Sequence, residues 1–331
     1  MTKLSKRTLI IFLIFILITS LLLAYFCLPY WVYKKPEKSH IEVNKDESLI
    51  KVNGNSIKVL QFTDLHINNA PDMPITFHVI KRTIYKTNPD LIVFTGDIFS
   101  SSATKKNVDT FLNFVSKFDL PWAVALGNHD DETPYTLNEL SSKIESADLS
   151  LFKTGDLTDL DLYGNYYYDV EFSDNNKYQF IFMDSRSAGF KEESKTFYEE
   201  TITNAKNNNG GNTVNNFLFF HIPLKEVNDA IEEFNNGNIE GVGRIRETPC
   251  IQSTDIHFFD KVKELNATTA LIYGHDHINN LKLKYQGVYF NYGAKSSTSS
   301  YNNTKIGGTL YTLNSDGTFT FNDILIFNQK S

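Results

Sequence analysis

The chain has 331 residues, of which 41% are hydrophobic, 21% charged and 14% aromatic, with only two cysteines. That balance excludes a disordered polar chain, a collagen-like repeat and a small disulfide-held scaffold. Lys and Arg number 32 against 39 Asp and Glu, a net charge of −7, so there is no basic footprint for nucleic acid.

The charge is unevenly divided. Residues 1–38 hold six basic side chains and one acid, which leaves 39–331 at −12. An acidic body that handles an anionic substrate must obtain local positive charge from something other than its composition.

Residues 1–8 read as a short basic tail with Lys3, Lys6 and Arg7. Residues 9–28, LIIFLIFILITSLLLAYFCL, contain no charge. At about 1.5 Å per residue they would form a helix about 30 Å long, which matches a bilayer core. The expectation is a single-pass transmembrane helix acting as a signal anchor. A cleaved signal peptide is the rival reading, but the run exceeds the usual apolar region and no small-x-small site follows it. Lys34, Lys35 and Lys38 balance the three basic residues before the span, so the positive-inside count is a tie. Short tails usually stay in the cytoplasm, so the folded body is expected outside it. Residues 29–55 read as a membrane-proximal stalk and 56–331 as the folded domain.

Within the domain, apolar runs and helical stretches alternate. Ile57–Phe62, Leu91–Thr95 and Trp122–Leu126 read as strands, with helices over 75–88 and 104–118 between them. β-branched and aromatic runs of about five residues separated by helical stretches indicate βαβ units with buried strands. Further strands are expected at 166–172, 178–183, 217–220 and 269–273. Short strands without helices then follow over 281–326, as a β-rich C-terminal sheet. Cys27 falls in the apolar run and Cys250 has no partner in the body, so no internal disulfide is expected.

Several of these strands end in a polar cluster: Asp64-Leu65-His66, Gly96-Asp97, Gly127-Asn128-His129-Asp130, His221-Ile222-Pro223 and Gly274-His275-Asp276-His277. Residues just past the carboxyl ends of parallel strands face one crevice, so clusters spread over 200 residues can meet. Two carboxylates among several imidazoles suit divalent transition metals rather than Ca²⁺ or Mg²⁺, which prefer oxygen shells. Asp64, His66, Asp97, Asn128, His221, His275 and His277 are too many ligands for one ion and fit two that share a carboxylate. Such pairs polarise a phosphoryl oxygen and generate a nucleophile from water near neutral pH. Taken singly, each residue has a plainer reading, Asp64 and Asn128 as turn residues and His221 as a hydrogen-bonded core histidine. Their order and shared placement at strand ends are what those readings do not supply.

This ordered set resembles the calcineurin-like metallophosphoesterase superfamily, over about Val59 to Ile326. The resemblance implies a four-layer αββα sandwich around a dinuclear centre of Mn, Fe or Zn. It implies Asp64, His66, Asp97 and His277 as ligands of one ion, and Asp97 (bridging), Asn128, His221 and His275 as ligands of the other. His129 is similar to the family's non-ligand histidine, which meets the substrate phosphate and protonates the leaving group. The segments Gln61–His66, Pro121–Asp130 and Phe219–Leu224 are similar to the purple-acid-phosphatase-like branch, some of whose members are labelled probable inactive purple acid phosphatases. Purple members carry a Tyr three residues after the bridging Asp, where this chain has Ser100, so a ferric–tyrosinate centre is not expected. The calcineurin-type Asp-Arg-Gly after Gly-Asp is replaced by Ile98-Phe99-Ser100, which removes that phosphate-gripping Arg.

Arg244 and Arg246 in Gly241–Arg246, and Arg186 after a strand, are further candidates to bind substrate phosphate by bidentate hydrogen bonds. The expected activity is hydrolysis of phosphate monoesters, with diesters or nucleotides second and a non-catalytic protein-binding scaffold as the alternative of another class. Loops 98–107, 185–195, 235–255 and 294–304, the last a polar tract, would choose the substrate.

Overall fold

A computed structural model of the chain describes residues 6–31, 39–71, 73–186, 188–299 and 305–328; for residues 6, 9, 24–31, 327 and 328 it describes the backbone alone. The N-terminal helix α1 (Lys6–Trp31) is followed, after residues outside the description, by β1 (Ile41–Asn44), β2 (Leu49–Val52), β3 (Ser56–Phe62), α2 (Met73–Thr87), β4 (Leu91–Thr95), α3 (Lys105–Ser116) and β5 (Trp122–Ala125). Then come α4 (Leu137–Ser146), β6 (Tyr166–Phe172), β7 (Lys177–Phe182), α5 (Glu192–Asn208), β8 (Asn215–Phe219), α6 (Glu226–Asn235) and β9 (Gly241–Val242). The chain ends with α7 (Phe258–Leu265), β10 (Thr268–Tyr273), β11 (Lys282–Tyr285), β12 (Val288–Tyr292), β13 (Lys305–Asn314) and β14 (Phe319–Asn328).

The expected transmembrane span over 9–28 falls on α1, and the structure does not support it. Among the described residues no helix is long and apolar enough to cross a membrane. The described apolar side chains of α1 run from Ile10 to Leu23 and are exposed. The basic tail at 1–5 and the stalk residues 32–38 lie outside the described residues.

The stalk reading fails from residue 41 onward. β1 and β2 form an antiparallel hairpin at one edge of the larger sheet, with Ile41, Ile50 and Val52 buried. Strands of four residues, broken by Glu42, Asn44 and Lys51, are too short to display an alternating pattern in sequence.

The described strands make two mixed sheets. The larger runs β1-β2-β6-β7-β8-β10-β12-β11-β9 and the smaller runs β14-β13-β3-β4-β5. In the smaller sheet β3, β4 and β5 are parallel, while β13 pairs antiparallel with both β3 and β14. In the larger, β7, β8, β10 and β12 run parallel to one another, with β6 antiparallel to β7 and β11 antiparallel to β12. The expected C-terminal sheet does not exist as a unit, because β11 and β12 join the larger sheet and β13 and β14 the smaller.

Alternate residues of the central strands serve two cores. Phe180, Phe182, Phe217, Phe219 and Ile272 belong to the core shared with β3, β4 and β5. Their neighbours Ile181, Leu218, Phe220, Leu271 and Tyr273 pack instead with Tyr198 and Ile202 of α5, Val227 of α6 and Phe258 of α7. The period of two along each strand turns successive side chains to opposite faces. Helices thus cover the outer face of the larger sheet, and α2 packs on β3, β13 and β14. Buried Gln61 ties the two sheets together: its Nε2 donates to Thr95 Oγ1 (2.7 Å) and to the Tyr273 carbonyl (3.1 Å), and its Oε1 accepts from Tyr311 (3.1 Å).

Candidate metal centre

The site lies where the two sheets meet. Asp64 and His66 follow β3, Asp97 follows β4 and Asn128 follows β5, all in the smaller sheet. His221 follows β8, and His275 and His277 follow β10, in the larger sheet. Residues just past the carboxyl ends of strands from both sheets thus meet in one crevice, and four of them do not sit on extended backbone. Instead Asp64, His66, Asp97 and His275 are left-handed, with φ of 56°, 44°, 51° and 76°. Such backbone costs roughly 1–2 kcal/mol per non-glycine residue, and concentrations of it mark functional sites. Here it is held by a short ladder between the two loops, Asp64 N–H to the Gly96 carbonyl (3.2 Å) and His66 N–H to the Asp97 carbonyl (2.8 Å).

The side chains converge in two groups. One ligand atom each from Asp64, His66, Asp97 and His277 lies within 4.8 Å of the others, and the same holds for Asp97, His221 and His275. Asp97 belongs to both. His66 Nε2 and His277 Nε2 face each other at 3.0 Å, and His275 Nδ1 faces His221 Nε2 at 3.2 Å.

The donor chemistry fits cations. His221 Nδ1 lies 2.7 Å from the Thr95 carbonyl, so Nδ1 carries a proton. Its Nε2 then points at Asp97 Oδ2, 3.1 Å away. Two acceptors at that separation need a cation between them, either a proton or a metal. With a proton there, burial opposes the charge, but Asp97 outweighs it and raises the His221 imidazole to about 9. Burial works against ionised Asp97 as well, yet His221 and His66 hold its carboxyl well below the usual range. Burial pulls His66 down to about 4, His275 to about 3 and His277 to about 2, which leaves them neutral as metal ligation requires. Asp64 Oδ2 and Asn128 Oδ1 are buried with no hydrogen-bond partner among the described residues. A buried oxygen left that way costs about 1–3 kcal/mol, a deficit that a bound cation would remove.

The chain matches the family description "Calcineurin-like phosphoesterase" over residues 57–306. It belongs to this family. It is 27% identical to "Probable inactive purple acid phosphatase 28" of Arabidopsis thaliana over 68% of this chain, and the match spans 63% of that relative, just under two thirds. It is 24% identical to "Probable inactive purple acid phosphatase 14" of the same plant, over 74% of this chain and 71% of the relative. A solved dimetal phosphatase from Danio rerio superposes with a TM-score of 0.54 over 78% of this chain and 92% of its own, at 12% identity. That likeness is one of fold.

Around this candidate centre the other expected residues divide. His129 is half-exposed and outside both ligand groups. Its backbone N–H donates to Asp97 Oδ1 (2.9 Å), its ring packs edge-on to His66 with centroids 5.1 Å apart, and its Nδ1 lies 2.8 Å from Glu132 Oε2. Burial lowers the His129 imidazole, but the hydrogen bond and charge of Glu132 together with the charge of Asp97 outweigh it, and the net shift is upward. Glu132 was not found by sequence reasoning, although its spacing of three from His129 on a single 3₁₀ turn (Asp130–Glu132) was a usable signal.

Arg186 is not available to substrate. Its side chain is 4% exposed, and its guanidinium binds both oxygens of buried Asp184, with Nε 3.0 Å from each, and donates to the Asp161 carbonyl (3.1 Å). Arg244 and Arg246 do reach the neighbourhood, since they line a cleft that His277 also lines. The polar tract from Lys295 was read as a surface loop, and here too the structure differs. Residues 295–299 are buried, and Ser296 docks on Thr63 through two 3.1 Å hydrogen bonds. Residues 300–304 lie outside the description. Burial pulls the Lys295 ammonium down to about 8 against the attraction of Asp64. A lysine in a run of Ser and Thr gave no sign of this place, because only the pairing with Thr63 turns it inward.

Proposed function

We propose that this chain is a metal-dependent hydrolase of phosphate esters, with monoesters preferred. The observation that carries the reading is the membership of Asp97 in both ligand groups. In this reading Asp64, His66, Asp97 and His277 hold one ion, and Asp97, Asn128, His221 and His275 hold the other. Two divalent transition ions, Mn, Fe or Zn, would supply Lewis acidity and an activated water. The protein's own part is orientation and proton transfer. Glu132 holds His129 Nδ1, which leaves Nε2 to give a proton to the departing oxygen as the P–O bond breaks and a water oxygen joins phosphorus. An imidazole whose ordinary pKa lies near 6.5 suits general-acid work close to neutral pH. Lys295 adds positive charge beside the Asp64 subsite.

A second reading, a non-catalytic scaffold, is favoured by the word "inactive" in the names of both plant relatives. Against it, the ligand set and His129 are all present in this chain, and a scaffold needs none of them. Membrane association through α1, with the body on the extracytoplasmic side, is also proposed, supported by exposed apolar side chains from Ile10 to Leu23. Release of the protein from membranes by alkaline wash would refute that part.

The test is full-length protein, stripped of metal and reconstituted with Mn²⁺, Fe²⁺ or Zn²⁺. Close to two equivalents should bind, and a panel of a monoester, a diester, nucleotides and a phosphopeptide should show turnover led by the monoester. Absence of metal uptake refutes the centre. Uptake without turnover of any substrate selects the scaffold.

A further inference from the structure

A cleft of about 360 Å³ adjoins the metal centre, with His277 in its wall. Four cationic side chains line it, Arg244, Arg246, Lys295 and Lys305, and its described lining residues include no carboxylate. In a chain with a net charge of −7, such a concentration of one sign is local and requires a structural cause. The cause is β9, the edge strand of the larger sheet, which pairs with β11 through Gly241 opposite Leu283 and Val242 opposite Lys282. That pairing lays the following segment along Asn279 and Asn280. Arg244 N–H donates to Asn280 Oδ1 (3.1 Å), Asn280 N–H to the Arg244 carbonyl (3.0 Å), and Arg246 N–H to Asn279 Oδ1 (2.8 Å). Gly243 permits the approach: its φ is 110°, and a Cβ would stand 2.2 Å from the Asn280 carbonyl oxygen.

Two consequences follow for the cleft's chemistry. The Oδ1 atoms of Asn279 and Asn280 accept from backbone N–H groups, and their Nδ2 groups donate to the Glu247 carbonyl (3.1 Å) and to Asp323 Oδ2 (2.9 Å), so the charged groups lining the cleft are guanidinium and ammonium. Guanidinium and ammonium groups carry donors and no acceptors, and guanidinium matches phosphate oxygens in pairs. The distance is also bounded. Asn280, which holds Arg244, is three residues from His277, at most about 10 Å of chain. A phosphoryl group at the metal centre and a group in the cleft would both have His277 as a neighbour.

We infer that this cleft binds a second phosphate of the substrate, so that the preferred ester carries two phosphate groups close together. The inference rests on the phosphoesterase reading above and deepens it by naming a substrate class. The lining sets four cationic side chains around one void beside the metal centre, and a second phosphate held there fixes which end of the substrate reaches the metals.

Two measurements test it. In the metal-loaded full-length protein, kcat/KM for ADP is expected to exceed that for AMP tenfold or more. The Arg244→Ala/Arg246→Ala variant should lower this ratio at least tenfold, Lys305→Ala should lower it severalfold, and Arg244→Lys/Arg246→Lys should keep most of it. In metal-free protein, calorimetric titration with inorganic pyrophosphate should show binding at least tenfold tighter than orthophosphate, a preference lost in the double alanine variant. Melting curves of each variant establish that it is folded. Equal ratios for ADP and AMP, or a ratio unchanged in the double variant, overturn the inference while leaving the phosphoesterase reading intact. No turnover of any ester, together with pyrophosphate binding that the double variant loses, refutes the phosphoesterase reading and leaves the anion cleft standing. Absence of pyrophosphate binding in the parent protein overturns the cleft directly.

Discussion

Gly127 opens the segment that carries Asn128 and His129, and it offers the sharpest test of how the centre is assembled. A Cβ at this position would lie 2.2 Å from the Asp97 backbone nitrogen and 2.3 Å from Asp97 Oδ1, where ordinary contact begins at 3.4 Å. Gly127→Ala must therefore push the two loops apart by roughly 1 Å. Overpacking of this kind typically costs about 1–3 kcal/mol, which corresponds to a fall in Tm of several degrees. The larger effect falls on function, because the displaced residue is the carboxylate common to both ligand groups, and a misplacement of about 1 Å can cost 10²-fold in rate. Metal analysis should show a loss of at least one equivalent, and kcat/KM for a monoester should fall 100-fold or more. Gly287→Ala is the control. Its φ is 90°, with nothing within 4 Å of the added carbon, so it should cost only the left-handed backbone term of roughly 1–2 kcal/mol and leave metal content at the parent level. A Gly127→Ala protein with two equivalents of metal and parental turnover would refute the placement of Asp97 against this turn.

Other substitutions separate the roles of neighbouring residues. Asp97→Ala should lower metal content and turnover together, as measured by metal analysis alongside a monoester assay. His129→Gln should lower kcat by about 10²–10⁴, the range for a general acid, with metal content near the parent value; a large metal loss would make His129 a ligand. Arg186→Ala should destabilise the fold by about 3–5 kcal/mol, because it strands the buried Asp184 carboxylate, and denaturant titration should show this while KM for a small monoester changes less than threefold. Removing metal by chelation should lower Tm reversibly, since ions bound at about 100 times Kd contribute roughly 2.7 kcal/mol each to the folded state.

The site was more legible than the scaffold around it. Asp64, His66, Asp97, Asn128, His221, His275 and His277 could be picked out because each stands at the end of a short apolar run, and strand ends are where a sheet presents ligands. β4 and β6 could be placed because Leu91–Thr95 is uninterrupted and Tyr166–Phe172 alternates buried with half-buried side chains. The hairpin β1–β2 could not, since four-residue strands carry too little periodicity. The transmembrane reading of 9–28 came from the uncharged apolar run alone, and no described helix supports it.

Glu132, Arg186 and Lys295 show the remaining gap. Glu132 was readable in principle, through its fixed spacing from His129. Lys295 was not, because it takes its role from a partner distant in the chain, and Arg186 was so only through its neighbour Asp184, since its other hydrogen bond is to the more distant Asp161. Asp161 is 25 residues from Arg186, and Thr63 lies over 200 residues from Lys295.

The amino-acid order by itself determined the chemistry available to this protein, an acidic body with carboxylates and imidazoles at successive strand ends, since residue type and local period suffice to state which donors exist. Only the tertiary structure decided which of its cations could meet an anion. Pairing of the edge strand β9 with β11 set Arg244 and Arg246 beside His277, and docking of Ser296 on Thr63 buried Lys295 next to Asp64, whereas the Asp161 carbonyl, with Asp184, holds Arg186 out of reach. Those outcomes depend on contacts between segments far apart in the chain, and composition carries no record of them.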